Sequence, residues 1–386
     1  MKLFPILRLH TKCNKYLFYM KGFYFINTDI GNTRAHTCQM LNTISAIDMN
    51  IPIDFVAPKY YNNIDLDAIK IRHNTPKTPR GVFLRNFGIK KPRALAFALF
   101  NAPAILFLLK IKIKKTANFI YVRSSLFMPV VIFAYLLRVP IFYETHRRPM
   151  SFSERLFDYL ISKMATGIIV ISNYMKRYYL SYKKEILVAH DAVSLKRFDS
   201  KIDKNEARKK FGIDLNKRIC VYAGTISKLK GSDYIFEAAR VLPNVDFLLV
   251  GHISQEFKNI DLPANVKLLG KKEQKELPLI LKIADALLLP HPKGEYSQSP
   301  MKLFEYMASK CPIVASDLPS IREILNENNA VLVKPEDVVE LVEGIKKVLR
   351  DKNLSDEISK QAFNDVKNYT WEKRGKKIAE FIKSIK

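Results

Sequence analysis

Short apolar strands alternating with amphipathic helices constrain this chain more than any other feature. Residues 22–28 form an aromatic and β-branched run that leads into a Gly31-Asn32 turn, residues 34–48 carry a helical period, and 51–58 is the next strand-like run. Further short apolar runs at 118–123, 140–144, 167–171 and 185–189 are separated by helical stretches such as 152–165 and 174–182. Strands that are apolar on both faces predict a parallel sheet covered by helices on both sides. After a polar, charged stretch at 194–217 the pattern begins again. Strands are expected at 218–224, 245–251, 265–270, 285–291 and 312–317, with helices at 233–241, 273–283 and 300–309. The reading is an α/β protein of two Rossmann-like domains, 20–195 and 196–368. Helical stretches at 338–349 and 371–385 close the chain, and the last of them, within 369–386, is expected to pack back on the first domain. Residues 1–19, which precede a Met20-Lys21 pair, are expected to lie outside the fold as an N-terminal extension.

With 386 residues the chain can bury two cores without disulfides. No G-x-G and no G-x-x-x-x-G-K-[ST] occurs, which removes the dinucleotide and P-loop fingerprints. A bound phosphate must therefore rest on a helix start. Cys13, Cys38, Cys220 and Cys311 are far apart and lack zinc spacing, so they read as reduced cytosolic thiols with no metal site. The longest apolar run, 94–109, is shorter than a bilayer span and contains Asn101 and Pro103. The first residues carry Arg8, His10, Lys12 and Lys15 among their apolar positions and no small-residue cleavage site, which argues against a signal peptide.

The formal net charge is +27, which points to an anionic partner. Most of it lies in the first half, where residues 1–200 hold 31 Lys and Arg against 11 acids. From Ala68 to Tyr143 there is no acid at all, while Arg85, Lys90, Lys91, Arg93, Lys110, Lys112, Lys114 and Lys115 flank the apolar run. Cations beside an apolar helix suit an anionic membrane surface, and these eight are the expected membrane or acceptor contacts. A lysine-rich composition around an ordinary core helix is the plainer alternative. A nucleic-acid partner is not expected, because no recognition motif is present and the cations are interleaved with aliphatic rather than stacking aromatic residues.

The chemistry concentrates at 294–317. Ser299 followed by Pro300 opens an amphipathic helix, since serine caps a free N–H and proline fits the first helical position. Such a start suits a diphosphate. Lys302 in the first turn adds a point charge, and Glu305, expected on an exposed face, can accept hydrogen bonds from both hydroxyls of a ribose. An ordinary Lys-Glu surface pair has the same spacing.

The segment PMKLFEYMA (300–308) followed by PIVASDLPSIREIL (312–325) resembles the donor site of retaining glycosyltransferases of the GT-B architecture, family four, also called glycosyl transferases group 1. VYAGTISKLKGSDYIFEAA (221–239) resembles the family's loop in which a Lys-Gly pair, here Lys230 and Gly231, brings a cation to the donor diphosphate. NTDIGNTRAHTCQML (27–41) is similar to the loop and helix that face the donor phosphate, which assigns Gly31 and Asn32. YETHRRP (143–149) is similar to the strand end with an active-site histidine, and ILVAHDAVSLKRF (186–198) to the segment entering the interdomain linker.

The resemblance implies a GT-B fold whose two parallel sheets face a central cleft, and a metal-independent, retaining hexosyl transfer from a nucleotide-diphosphate sugar, with no other cofactor. His146, Lys230 and Glu305 become the expected catalytic residues. His146 is implied to touch the donor sugar; Glu144 either orients it or satisfies Arg147 or Arg148 at the surface. His36 and His190 are further candidates. Donor contacts are expected from Gly31, Asn32, Thr225, Lys230, Glu295, Ser297, Ser299, Pro300, Met301, Lys302 and Glu305. Two positions depart from the family pattern. The first acid of its E-x7-E falls on Ser297, two residues after Glu295, and Thr225 stands where many members carry arginine, leaving Lys302, Lys228 or Arg147 to replace that charge. The acceptor expected from the basic first half is a lipid-linked or cell-envelope glycan, met at the inner face of the cytoplasmic membrane. The competing readings are a sugar-nucleotide epimerase or phosphorylase of the same architecture and, from another class, a basic nucleic-acid-binding protein.

Overall fold

A computed structural model describes residues 20–26, 30–31, 35–59, 65–84, 93–294 and 301–385, with backbone alone at 93–98. Of the residues singled out above, Asn32, Arg85, Lys90, Lys91, Glu295, Ser297, Ser299 and Pro300, the side chain of Arg93 and the 1–19 extension lie outside it.

The first domain runs β1 (Gly22–Phe25), α1 (Ala35–Asp48), β2 (Ile53–Pro58), α2 (Leu66–His73), β3 (Gly81–Leu84), α3 (Arg93–Ile113), β4 (Phe119–Val122), α4 (Met128–Leu136), β5 (Ile141–Thr145), α5 (Phe152–Met164), β6 (Gly167–Val170), α6 (Asn173–Tyr179) and β7 (Glu185–Val188). Its seven strands are ordered β3-β2-β1-β4-β5-β6-β7, and neighbours pair in parallel. The second domain begins with α7 (Lys204–Lys210), a helix inside the polar, charged stretch 194–217 for which no element was expected. It continues with β8 (Arg218–Ala223), α8 (Ser232–Val241), β9 (Val245–Val250), β10 (Val266–Gly270), α9 (Leu277–Lys282), β11 (Ala286–Leu289), α10 (Met301–Ala308), β12 (Ile313–Ser316), α11 (Pro319–Arg322) and β13 (Val331–Val333). Its six parallel strands are ordered β10-β9-β8-β11-β12-β13. Helices α12 (Val338–Arg350), α13 (Lys352–Val366) and α14 (Trp371–Ser384) follow.

Strands β3 (GVFL) and β13 (VLV) have no counterpart among the strands expected from the sequence. The interior strands are buried on both faces, as their continuous apolar runs require, and β4, β6, β11 and β12 are buried at every position, whereas the edge strands β7 and β10 are mostly only partly buried.

In each sheet the chain runs outward, returns to the middle and runs out the other way. Reversal falls between β1 and β4 in one domain and between β8 and β11 in the other. The carboxyl ends of strands at such switch points leave a crevice where ligands bind.

Helix α14 returns to the first domain. Ile378, Ala379 and Ile382 are buried with Tyr24, Leu41, Ile44 and Phe142, and Gly375 lets the helix approach the α1 backbone, since a Cβ there would lie 2.3 Å from the Ala46 carbonyl carbon. A second tie runs the other way. The Glu323 carboxylate, just past α11, accepts the backbone N–H groups of Asn173 at 2.7 Å and Tyr174 at 3.0 Å and lies 2.9 Å from His190 Nε2. An acid of one domain thus sits at the positive N-terminus of α6 in the other.

Candidate functional site

A cleft of about 1230 Å³ lies between the domains. The first domain lines it with His36, Gln39, Arg123, His146, Ile171 and Asp191, and the second with Gly224, Thr225, Lys230, Gly251, Met301, Lys302 and Glu305 among others. Arg123, His146 and Ile171 stand just past the carboxyl ends of β4, β5 and β6, and Gly224 and Gly251 just past β8 and β9.

On the first-domain wall His146 is held from both sides. Its Nε2 meets the Glu144 carboxylate and its Nδ1 lies 2.9 Å from Gln39 Nε2. Glu144 is fully buried and also takes Arg374 Nη2 at 2.7 Å and the Tyr121 hydroxyl. Burial alone would raise its pKa, but the Arg374 guanidinium and His146 hold this carboxyl well below the usual range. An ionised carboxylate only accepts, so the imidazole proton is assigned to Nε2 and Nδ1 accepts from the Gln39 amide. Burial, helped by Arg123, pushes the His146 pKa down to about 3, so the ring is neutral. The Gln39 amide also donates to Asp191, while its oxygen accepts from Arg123. Asp191 is buried, and burial raises its carboxyl to about 6 against the pull of Arg374 and Arg123. Glu144 therefore orients His146 and does not pair with Arg147, which is bound to Glu154.

On the opposite wall two glycines let the backbone bend where a side chain cannot fit. A Cβ on Gly251, at φ +145°, would lie 1.8 Å from the Gly224 carbonyl oxygen, and one on Gly231, at φ +73°, would lie 1.7 Å from the Pro290 oxygen. Beneath Gly224 the Lys302 ammonium is buried, 3.9 Å from the centre of the Tyr222 ring, and among the described residues its Nζ has no hydrogen-bond partner. Burial, with Lys230 beside it, holds its pKa well below the usual lysine value, and Glu305 pulls the other way. Burial also lowers Lys230. The wall thus brings together two cations that were read from separate segments, Lys230 and Lys302.

Glu305 corrects the sequence reading. It is buried rather than on an exposed face, and it accepts from Arg197 Nη1 at 3.0 Å. Arg197 also donates to the Gln274 carbonyl at 2.8 Å. The Lys302-Glu305 surface pair does not form, because the lysine turns to Tyr222 and the glutamate to the linker. Thr225 is exposed at the cleft edge. Met301 packs on Ala46, Ala192 and Trp371. The Gly31 carbonyl accepts from Arg72 at 2.9 Å. His190 turns to Glu323 and does not line the cleft, whereas His36 does. Of the proposed charge replacements, only Lys302 is at the cleft. Lys110, Lys114 and Lys115 are exposed and Lys112 partly so, at the end of α3 and away from this site. Sequence reading missed Gln39, Arg123, Asp191, Arg197 and Arg374: Gln39, Asp191 and Arg197 fall inside segments that resemble the family but were given no role there, and each of the five acts through a partner far along the chain.

Residues 203–365 match the family described as glycosyl transferases group 1. The chain is 25% identical over 211 residues to the processive diacylglycerol alpha-glucosyltransferase of Acholeplasma laidlawii, covering 48% of this chain and 62% of that one. The chain spans less than two thirds of the length of curated relatives such as this one. Among solved structures, sucrose-phosphate synthase of Thermosynechococcus elongatus superposes with a TM-score of 0.76 at 15% identity, covering 95% of this chain and 98% of that one. Anabaena HepE in complex with UDP and glucose does so with a TM-score of 0.72 at 17% identity, covering 95% and 100%. The two-domain architecture of these structures is the GT-B fold, and this chain has it.

Proposed function

We infer, from a second domain that matches glycosyl transferases group 1, that this protein moves a hexosyl group from a nucleotide-diphosphate sugar to an acceptor bound across the cleft. The observation that carries the reading is the wall on which the buried Lys302 ammonium and Lys230 converge under Gly224, opposite His146. Breaking the bond from an anomeric carbon to a nucleotide diphosphate leaves negative charge on phosphate. Fixed cations in a poorly solvated site stabilise that charge more than water can. Lys302 and Lys230 supply it, so the transfer needs no divalent ion and no cofactor beyond the donor. Glu305 and the backbone past β8 bind the nucleotide, and the neutral His146 ring presents its edge to the sugar. Attack on the face from which the diphosphate leaves retains the anomeric configuration.

The acceptor is a lipid-linked or cell-envelope glycan, reached at the inner face of the cytoplasmic membrane. The basic first domain supports this, as does similarity to a diacylglycerol glucosyltransferase and to a putative teichuronic acid biosynthesis glycosyltransferase of Bacillus subtilis. Thermal stabilisation by UDP-, GDP- and ADP-sugars tests the donor site. At least one should raise the melting temperature of the wild type and not that of Lys230→Ala, and no response to any would overturn the assignment. Conversion of the stabilising sugar nucleotide to a stereoisomer without any acceptor would make the protein an epimerase instead.

A further inference from the structure

Large apolar side chains are exposed mainly on one side of the first domain. Between Leu126 and Leu160 ten of them face solvent, whereas four do so among the described residues of the second domain. They belong to neighbouring elements, since α4 packs on both α3 and α5. On α5 the exposed large apolar residues are Phe152, Leu156, Tyr159 and Leu160, spaced as one helical stripe, while Ile161 on the opposite face is buried in the core. Phe152 is 84% exposed, and Leu136 at the end of α4 is 69% exposed. Core packing does not account for this stripe, because the same helix already has a buried face. A contiguous exposed apolar surface of this kind marks a binding face.

Charge decides the partner. Between Asn101 and Thr166 the sequence holds ten Lys and Arg against three acids. All three acids are engaged: Glu144 is buried with Arg374, Asp158 is buried with Tyr143 and Tyr179, and Glu154 is held by Arg147. Lys110, Lys114, Arg138, Arg155 and Lys163 are exposed on the same three helices or just past their ends. A second copy of the chain would bring two such basic rims together, and a nucleic acid would leave the apolar stripe unpaired. An anionic bilayer satisfies both features, taking the apolar side chains into the interface and the cations at the headgroups.

We propose that the exposed face of α4 and α5, with its basic rim, docks on an anionic lipid bilayer and that Phe152, Leu156 and Leu136 enter the interface. Phe152 lies six residues after His146, so the docked face begins a short way along the chain from the first-domain wall of the cleft. The proposal rests on the function above only for the statement that the acceptor comes from that bilayer.

Vesicle cosedimentation of the full chain tests it, with phosphatidylglycerol-containing and pure phosphatidylcholine vesicles. Wild type should sediment with the anionic vesicles and much less with neutral ones. The triple variant Leu136→Ser, Phe152→Ser, Leu156→Ser should lose at least about tenfold in apparent partitioning, with its melting temperature and its stabilisation by nucleotide sugar unchanged. Undiminished partitioning of this variant, or sedimentation of wild type with neither vesicle type or equally with both, would overturn the proposal. So would a wild-type dimer that the triple variant dissociates and that ignores vesicles. Nucleotide stabilisation is read on the same samples, so failure of the docking face is separate from failure of the donor site.

Discussion

Arg374 Nη2 lies 2.7 Å from Glu144 Oε1, and both side chains are almost wholly buried. The pair is 230 residues apart in sequence. It joins the last helix to the strand end that carries His146, so the far end of the chain sets the orientation of a cleft residue. Arg374 also donates to Thr43 at 2.8 Å and to the His190 carbonyl at 3.0 Å, which leaves its guanidinium with partners on three segments.

Removing one member of a buried pair strands the other charge. Arg374→Met should therefore cost about 3–5 kcal/mol in urea-induced unfolding. The double variant Arg374→Met, Glu144→Gln should recover part of that loss, and additive losses would show that the two groups are not coupled.

Lys302 carries a charge that burial opposes and no described hydrogen bond compensates. Lys302→Met should leave the unliganded protein as stable as wild type or more so, since a buried cation is replaced by an apolar chain of similar length. The same variant should lose stabilisation by nucleotide sugar by about tenfold or more in affinity. A destabilised Lys302→Met that still binds donor would contradict both halves.

Glu305 holds Arg197 as well as facing the cleft. Glu305→Ala should lower stability by about 3 kcal/mol, because the largely buried Arg197 guanidinium loses its carboxylate partner and keeps only the Gln274 carbonyl. Glu305→Gln keeps an acceptor there and should unfold close to wild type while binding donor more weakly. Calorimetry on the two variants separates the structural role from the ligand contact.

Gly231 has φ +73° and no room for a Cβ against the Pro290 carbonyl. Gly231→Ala should cost about 1–3 kcal/mol and displace the Lys230 loop, read as a lower melting temperature together with weaker nucleotide binding.

His73 is 3% exposed, and burial lowers its pKa to about 4. The unfolded ring titrates near 6.5, so between those values the unfolded chain binds the extra proton. Its contribution to stability is intact above about pH 6.5 and is lost as pH falls toward 4, by about 3 kcal/mol in full. His73→Phe should flatten the fall in unfolding free energy across that window, and an unchanged slope would assign the acid sensitivity to other groups.

Much of this protein was legible locally. Hydrophobic period is a property of neighbouring residues, so the longer strands and most helices could be placed from their runs, and the restart of the pattern near residue 200 separated the two domains. Lys230 and Lys302 were legible because each sits in a motif. The environment of Glu305 was not, because its helix face says that one side is buried but not that Arg197 of the linker waits there.

The order of apolar and polar residues along the chain determined two parallel α/β halves and which segments carry the cations. Tertiary structure alone decided that His146 is neutral and clamped between Glu144 and Gln39, that Lys302 is desolvated over Tyr222, and that Arg374 reaches back from the last helix. Periodicity acts through local backbone geometry, whereas burial and charge pairing depend on which distant segments the fold brings within a few ångströms.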